Sequence, residues 1–262
     1  MDFLSIYSVG AVILLVCMVA LWLLSLRLRD ASIVDIFWGT GFLIVTLFYY
    51  LATMAQSRAE RAALIVVLVA IWGLRLSLHI GARNWGRAED YRYANWRRQA
   101  GAAWWWRSLF KVFLLQGALS WIISAPLLAG QFYGADSPLG LLDGLAVLVW
   151  SVGFFFEAVG DWQLARFRAN PANKGKLMDR GLWRYTRHPN YFGDAVQWWG
   201  FYLLSLAAGA WWTVWSPVLM TYLLVSVSGV AMLEANLSKY KSGYADYVRR
   251  TSAFIPWPPK RD

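Results

Sequence analysis

Thiol and imidazole side chains are scarce in this chain, which has one Cys and two His among its 262 residues. Because Cys17 stands alone, a disulfide framework and a thiolate metal site are both excluded. His79 and His188 are too few for a histidine-based metal centre, so we expect no metal. The chain also lacks the Gly-x-Gly-x-x-Gly, Walker and nucleophile-elbow motifs, so none of them indicates the site that it builds.

Charge is also sparse, since 15% of the residues are charged while 59% are hydrophobic and 18 are Trp. This composition is typical of a membrane protein. Apolar runs of about 20 residues, the length that crosses a bilayer, occupy 7–27, 33–54, 61–81, 109–130 and 138–159. A longer run, 191–233, is divided into two spans by a turn-like stretch at 207–212. The sequence therefore predicts an all-α polytopic membrane protein with seven transmembrane helices in a single domain, residues 1–262.

Basic residues fall mainly on one side of this topology. Most Lys and Arg lie in the loops after spans one, three and five or in the C-terminal tail, whereas Arg58 and Arg61 lie in the alternate loops. Because basic loops remain cytoplasmic, we expect the N-terminus outside and the C-terminus in the cytoplasm. Short basic loops between spans do not favour a nucleic-acid partner, and none is expected. The run from Trp104 to Trp106 is typical of an interfacial aromatic belt.

Acidic residues recur near the cytoplasmic ends of the predicted spans. They are Asp35, Glu157, Asp161, Asp194 and Glu234, whereas Asp143 lies near the opposite side. One interpretation is that each acid reaches the interface or pairs with a nearby Arg. The convergence of five acids at one depth instead predicts a polar cavity that opens to the cytoplasm between apolar walls.

A dense polar motif precedes the sixth span, over 181–194, and reads Gly-Leu-Trp-Arg-Tyr-Thr-Arg-His-Pro-Asn-Tyr-Phe-Gly-Asp. Asn190, Asp194 and Trp198 are spaced by four residues and therefore share one helix face. Pro189 suits the first turn of a helix, whose free backbone N–H groups attract anions. Seven cations lie close in sequence: Arg166, Arg168, Lys174, Lys176, Arg180, Arg184 and Arg187. They favour a phosphate-bearing ligand, although cations that set topology and contact lipid head groups would also produce this pattern.

These residues resemble the steroid 5-alpha-reductase superfamily. The resemblance rests on the motif at 181–194, on Trp198, on the sequences at 244–247 and 254–256, and on an Asp-x-x-Trp-Gly motif at 35–39 that is typical of the bacterial branch. The Arg-His-Pro-x-Tyr element also occurs in isoprenylcysteine and phospholipid methyltransferases. The Asn-x-x-Gly-Asp continuation and Trp198 favour the reductases. The resemblance implies a seven-helix fold in the bacterial inner membrane, with NADPH held on the cytoplasmic side by residues 150–257.

The resemblance also implies roles for individual residues. The cofactor-binding set is Asp161, Arg168, Lys174, Lys176, Arg184, Arg187, His188, Asn190, Tyr191, Asp194, Trp198, Asn236 and Tyr240. Asp35 takes the place of the acid that polarises the substrate carbonyl. The steroid reductases pair that acid with a Tyr on the next membrane helix, and the third span here has none. The catalytic candidates are therefore Asp35 itself, or Tyr91 or Tyr93 reaching in from the following loop, unless the substrate is of another kind. Alternatively, Asp35 caps its own helix near Ser32 or pairs with Arg29.

The favoured function is an NADPH-dependent reductase of a carbon–carbon double bond in an enone-type, steroid-like or other lipid substrate. An S-adenosylmethionine-dependent methyltransferase of a lipid or isoprenylated substrate is the alternative. A non-catalytic lipid-binding membrane protein is a third possibility. The three differ in the ligand that they bind: a dinucleotide, a sulfonium amino acid, or no nucleotide.

Overall fold

A computed structural model describes residues 1–54, 59–134, 137–227 and 243–260. Of the residues singled out above, Arg58, Glu234, Asn236 and Tyr240 lie outside this part of the chain. The chain divides into two compact units. Unit 1 contains 1–139 and 204–213, and unit 2 contains 140–203 and 214–262.

Unit 1 is built from helices that follow one another closely along the chain. They are α1 (Phe3–Leu28), α2 (Ile33–Thr53), α3 (Ala59–Asn84), α4 (Tyr91–Ala100), α5 (Trp104–Ser108), a π-helical segment (Leu109–Leu114), α6 (Leu115–Ile123) and α7 (Ala125–Phe132), with a short 3-10 turn at Gly101–Ala103. Gly101 has a φ of 54°, a left-handed value that favours glycine, and it ends the polar helix α4 before the apolar helices begin.

Unit 2 contains the long helix α8 and the helix that follows the dense motif. Its elements are α8 (Leu141–Ala169), 3-10 turns at Pro171–Asn173 and Gly181–Arg184, α9 (Pro189–Ala207), α10 (Trp215–Tyr222), a π-helical segment (Leu223–Val227) and α11 (Tyr244–Arg250). The last residues of α9 and most of the 3-10 turn Trp211–Val214 are assigned to unit 1. Asp143 supports the start of α8, because its Oδ2 accepts a hydrogen bond from the backbone N–H of Gly140 at 2.9 Å.

The described residues are helical apart from turns and one isolated bridge, which confirms the all-α prediction for this part of the chain. Within the described residues, five segments are long and apolar enough to cross a membrane: Phe3–Leu28, Ile33–Thr53, Glu60–Asn84, Tyr91–Phe132 and Leu141–Ala169. Helix α9 has 19 residues and is not among them, because polar side chains such as Asn190, Asp194 and Gln197 dilute its apolar character. The predicted break is confirmed, since α9 ends at Ala207. The count of seven spans and the orientation remain predictions.

Helices α2 and α3 pack through a glycine contact in unit 1. A Cβ atom on Gly39 would lie 2.3 Å from the carbonyl oxygen of Gly73, which no side chain tolerates. Beside this contact, the backbone N–H and hydroxyl of Thr40 donate to the Ser77 hydroxyl at 3.1 and 2.8 Å. The Gly of the Asp-x-x-Trp-Gly motif therefore allows two helices to approach closely, as small residues do in membrane proteins.

Helices α8 and α9 approach each other in the same way in unit 2. A Cβ atom on Gly193 would lie 2.4 Å from both the Glu157 backbone nitrogen and the Gly153 carbonyl oxygen. One on Gly200 would lie 2.8 Å from the Trp150 side chain, and one on Gly160 would lie 3.1 Å from Pro189. This close crossing brings the polar residues of α8 next to those of α9.

Candidate functional site

The carboxylate of Asp35 on α2 accepts a hydrogen bond at each of its oxygen atoms. The Tyr93 hydroxyl donates to Oδ1 at 2.6 Å, and the Arg92 guanidinium donates to Oδ2 at 2.7 Å. The Gln116 side-chain amide donates to the Tyr93 hydroxyl oxygen at 3.2 Å. This arrangement fixes the phenol between an amide donor and a carboxylate acceptor, and we call these four residues the Asp35–Tyr93 network.

Helix α4 brings Arg92 and Tyr93 to this position. Asp90 caps the helix by accepting from the backbone N–H of Arg92 at 3.0 Å and from its Nε at 2.9 Å. Although partial burial opposes the effect, the side-chain and backbone hydrogen bonds from Arg92 lower the pKa of Asp90 below its ordinary value. Asp90 therefore both starts the helix and orients the guanidinium that reaches Asp35.

Glu89 ties the start of α4 to the connection between α1 and α2. Its carboxylate accepts from the backbone N–H of Ala31 at 2.7 Å and from two nitrogen atoms of Arg97 at 2.7 and 2.9 Å. Ala31 lies just before α2, and Arg97 lies on α4. This contact ties the loop before α4 to the residues just before α2, the helix that carries Asp35.

The structure distinguishes between the two tyrosines that the sequence left open. Tyr93 is 3% exposed and packs in a core cluster with Val34, Trp104 and Phe113, whereas Tyr91 is 47% exposed. Asp35 contacts Arg92 and Tyr93, and does not cap its own helix at Ser32. Asp30 instead accepts from the backbone N–H and the hydroxyl of Ser32, at 2.8 and 2.5 Å.

In unit 2, α9 begins at Pro189, as the sequence predicted, and this start lies beside Gly160 near the end of α8. The Asn190 side-chain amide donates to Asp161 Oδ1 at 3.0 Å. The other end of that amide, Asn190 Oδ1, is buried and makes no hydrogen bond with the described residues. Asp161 and Asp194 are both buried. The predicted residues Asp161, Asn190 and Asp194 therefore lie on the paired helices α8 and α9, where the Asn190 amide oxygen is a buried hydrogen-bond acceptor.

Two turns along α9 from Asn190, Gln197 donates to Glu157 Oε2 at 2.5 Å, and both side chains are buried. Sequence reasoning included Glu157 among the acids and missed Gln197. The signal for Gln197 was present, since it lies seven residues after Asn190, within the same helical face as the glycine contacts. This pair is a second polar contact between α8 and α9, in addition to that of Asn190 with Asp161.

Part of the dense motif serves the fold. Arg187 is buried, and its Nη1 donates to the carbonyl oxygens of Thr251 at 2.5 Å and Val248 at 3.2 Å. The Tyr247 hydroxyl donates to the carbonyl oxygen of Trp183, and burial raises the pKa of that phenol. The first half of the motif therefore holds the C-terminal segment, whereas the second half forms the start of α9.

The remaining predicted cations lie on the surface of unit 2. Arg168, Lys174, Lys176 and Arg184 are exposed, while His188 is buried and stacks on Tyr191 with ring centroids 5.6 Å apart. An open cleft of about 590 Å³ lies at the end of α8. It is lined by Trp162, Gln163, Arg166, Phe167, Ala169, Asn170, Asn173, Met178, Arg180 and Gly181. The cleft contains the guanidinium groups of Arg166 and Arg180 and the aromatic rings of Trp162 and Phe167.

Comparison with known proteins places the chain in a family. A family model described as a protein of unknown function, DUF1295, matches residues 21–251. The chain belongs to the DUF1295 family. This family is associated with the steroid 5-alpha-reductase superfamily. The chain is also 25% identical to an uncharacterized protein of Schizosaccharomyces pombe, over 95% of its own length and 79% of that protein. No solved structure matches the chain.

In this DUF1295 protein the motif residues form one group in each of the two units. Asp35 and Tyr93 meet in unit 1, and Asp161 and Asn190 meet in unit 2. Sequence reasoning missed Arg92 and Gln116 as partners of the Asp35–Tyr93 network. No local pattern marks them, because their positions depend on long-range packing between α2, α4 and the apolar helix that carries Gln116.

Proposed function

We propose that this protein is a membrane reductase that uses NADPH to reduce the carbon–carbon double bond of an enone in an apolar, lipid-like substrate. The observation that carries the proposal is the 2.6 Å hydrogen bond between the Tyr93 hydroxyl and the Asp35 carboxylate. Reduction of an enone develops negative charge on its carbonyl oxygen, and a positioned hydroxyl donor is the group that stabilises such charge.

In this proposal Tyr93 is the donor and Asp35 orients it. Both oxygen atoms of Asp35 accept hydrogen bonds, so the transferable proton of the network is on the phenol. Gln116 fixes the phenol oxygen from the other side, and Arg92 holds the carboxylate. The phenol has one proton, which it donates to Asp35 in this structure. A substrate carbonyl oxygen that replaced Asp35 as the acceptor would take that hydrogen bond or proton, while Asp35 and Arg92 retain their pairing.

The residues of unit 2 fit a phosphate-bearing dinucleotide. Asn190, at the start of α9, has a buried carbonyl oxygen that suits a ligand N–H or hydroxyl donor. Exposed cations at Arg168, Lys174 and Lys176 suit the phosphates. We propose that Asp161, Asn190 and Asp194 bind the cofactor together with these cations. NADPH, when bound, supplies a hydride for the double bond.

Nucleotide binding by the purified full-length protein in detergent tests the cofactor assignment. We expect saturable binding of NADPH and no competition by S-adenosylmethionine. Asp194→Asn preserves shape and should lower NADPH affinity by about tenfold or more, the scale of one charge-assisted hydrogen bond. Its thermal unfolding should stay near that of the wild type.

Glu60→Gln is the matched control, because it makes the same acid-to-amide change at an exposed position on α3. Its NADPH affinity should equal that of the wild type. Binding of S-adenosylmethionine without binding of NADPH would contradict the proposal and favour the methyltransferase. Unchanged NADPH affinity in Asp194→Asn would remove Asp194 from the cofactor site.

A further inference from the structure

An open groove lies in unit 1 where the polar helix α4 gives way to the apolar helices. Its volume is about 470 Å³. It is lined by Trp96, Gln99, Ala100, Trp104, Trp106, Arg107, Phe110 and Lys111. None of these side chains belongs to the Asp35–Tyr93 network, and the proposed reaction uses none of them.

Two cations of the groove are held over aromatic rings. The Lys111 ammonium lies 4.5 Å from the centroid of the Trp96 ring, and the Arg107 guanidinium lies 5.5 Å from that of Trp106. Both cations are exposed, and neither pairs with a carboxylate among the residues that the structure describes. Their charge is therefore available to an anion that enters the groove.

The groove also has an apolar side. Trp104 is buried, whereas Phe110 is 60% exposed in the π-helical segment, which lies within a candidate membrane span. Helix α4, on the other side, is rich in Arg and polar residues. A groove with cations and indole rings at the edge of an apolar helix is suited to the level of the lipid head groups.

The three consecutive tryptophans also differ from a uniform aromatic belt. Trp104 lies in the protein core, and the backbone carbonyl of Trp105 accepts a hydrogen bond from the Trp22 indole at 2.8 Å. Trp106 is 43% exposed and lines the groove with Arg107. The Trp22 hydrogen bond therefore connects this stretch to α1, and Trp106 forms part of the groove wall.

We infer that this groove binds an anionic phospholipid. The lipid phosphate lies between Arg107 and Lys111, and an acyl chain runs along Phe110 toward the apolar helix. The cation pair without carboxylate partners provides charge complementarity, and the aromatic wall provides apolar contact for the chain. The inference does not depend on the proposed reductase activity, because it concerns other residues.

Native mass spectrometry of the delipidated full-length protein tests this inference, with dioleoyl phosphatidylglycerol and dioleoyl phosphatidylcholine as probes. We expect the wild type to prefer phosphatidylglycerol. Each Lys or Arg near an anionic lipid contributes about fivefold in affinity. The double variant Arg107→Gln/Lys111→Gln should therefore lose about twenty-fivefold in phosphatidylglycerol affinity, with phosphatidylcholine binding unchanged.

The matched control is Arg83→Gln/Arg98→Gln, which removes the same charge from two exposed residues of unit 1 outside the groove. Its affinity should stay within about twofold of the wild type. Equal losses in the two double variants, or no preference of the wild type for phosphatidylglycerol, would overturn the inference. Lys111→Arg keeps the charge and should retain the preference for phosphatidylglycerol, which tests the inference even if the double variant does not fold. Loss of this preference in Lys111→Arg would also count against the inference.

Discussion

The change Tyr93→Phe examines the centre of the proposed reaction. It removes only the hydroxyl, so the ring keeps its place in the core cluster with Val34 and Phe113. Two hydrogen bonds are lost, at 2.6 Å to Asp35 and at 3.2 Å from Gln116. The Arg92 contact to the other oxygen of Asp35 remains available.

We expect Tyr93→Phe to raise the free-energy barrier of the reaction by more than it lowers the free energy of unfolding. Leaving buried polar groups without their partner costs about 1–3 kcal/mol of folding stability, and the fold retains its ring packing. Loss of a hydrogen-bond donor to a developing oxyanion lowers kcat by about a hundredfold to a thousandfold. NADPH affinity should not change, because Tyr93 is not among the cofactor-binding residues of the proposal.

The assay is NADPH consumption by the purified protein with an apolar enone that the wild type reduces, chosen from a panel of enone steroids and lipids. Tyr91→Phe is the matched control, since the neighbouring phenol is 47% exposed, and its turnover should stay within about twofold of the wild type. Wild-type turnover in Tyr93→Phe would refute the reasoning. Loss of turnover in Tyr91→Phe alone would transfer the role to Tyr91.

Three further predictions concern the residues around these sites. Asp35→Asn should lower turnover by about a hundredfold while NADPH binding persists; turnover within about twofold of the wild type would make Asp35 a structural residue. Gly193→Ala should lower the thermal stability measured in detergent, because its Cβ would meet backbone atoms at 2.4 Å, whereas Gly144→Ala on α8 meets nothing within 4 Å and should be neutral or slightly stabilising. The hydrogen bonds from Arg92 lower the pKa of Asp90, so the ionised Asp90 carboxylate stabilises the folded protein. This stabilisation is present above the unfolded pKa of about 4 and is lost as pH falls through the lower folded value. Asp90→Asn should therefore make chemical unfolding less dependent on pH in acid, and an unchanged acid dependence would contradict this.

The amino-acid sequence determined the features that depend on local pattern. Apolar runs indicated the membrane class and the helical fold, because a bilayer requires about 20 apolar residues per helix. Pro189 fixed the start of α9, because its ring suits the first helical turn. The four-residue spacing of Asn190 and Asp194 placed them on one face of that helix, and Asp35 stood out as an acid near the start of a membrane helix.

Only the tertiary structure decided which of these residues meet. Tyr93 and not Tyr91 contacts Asp35, because Glu89 ties the preceding loop to Ala31 and α4 then turns one tyrosine inward. Gly39 of the Asp-x-x-Trp-Gly motif allows α2 to pack closely on α3. The sequence of α2 does not show which helix packs against it. Such contacts join residues far apart in the chain, and their geometry follows from helix packing, so local periodicity carries no information about them.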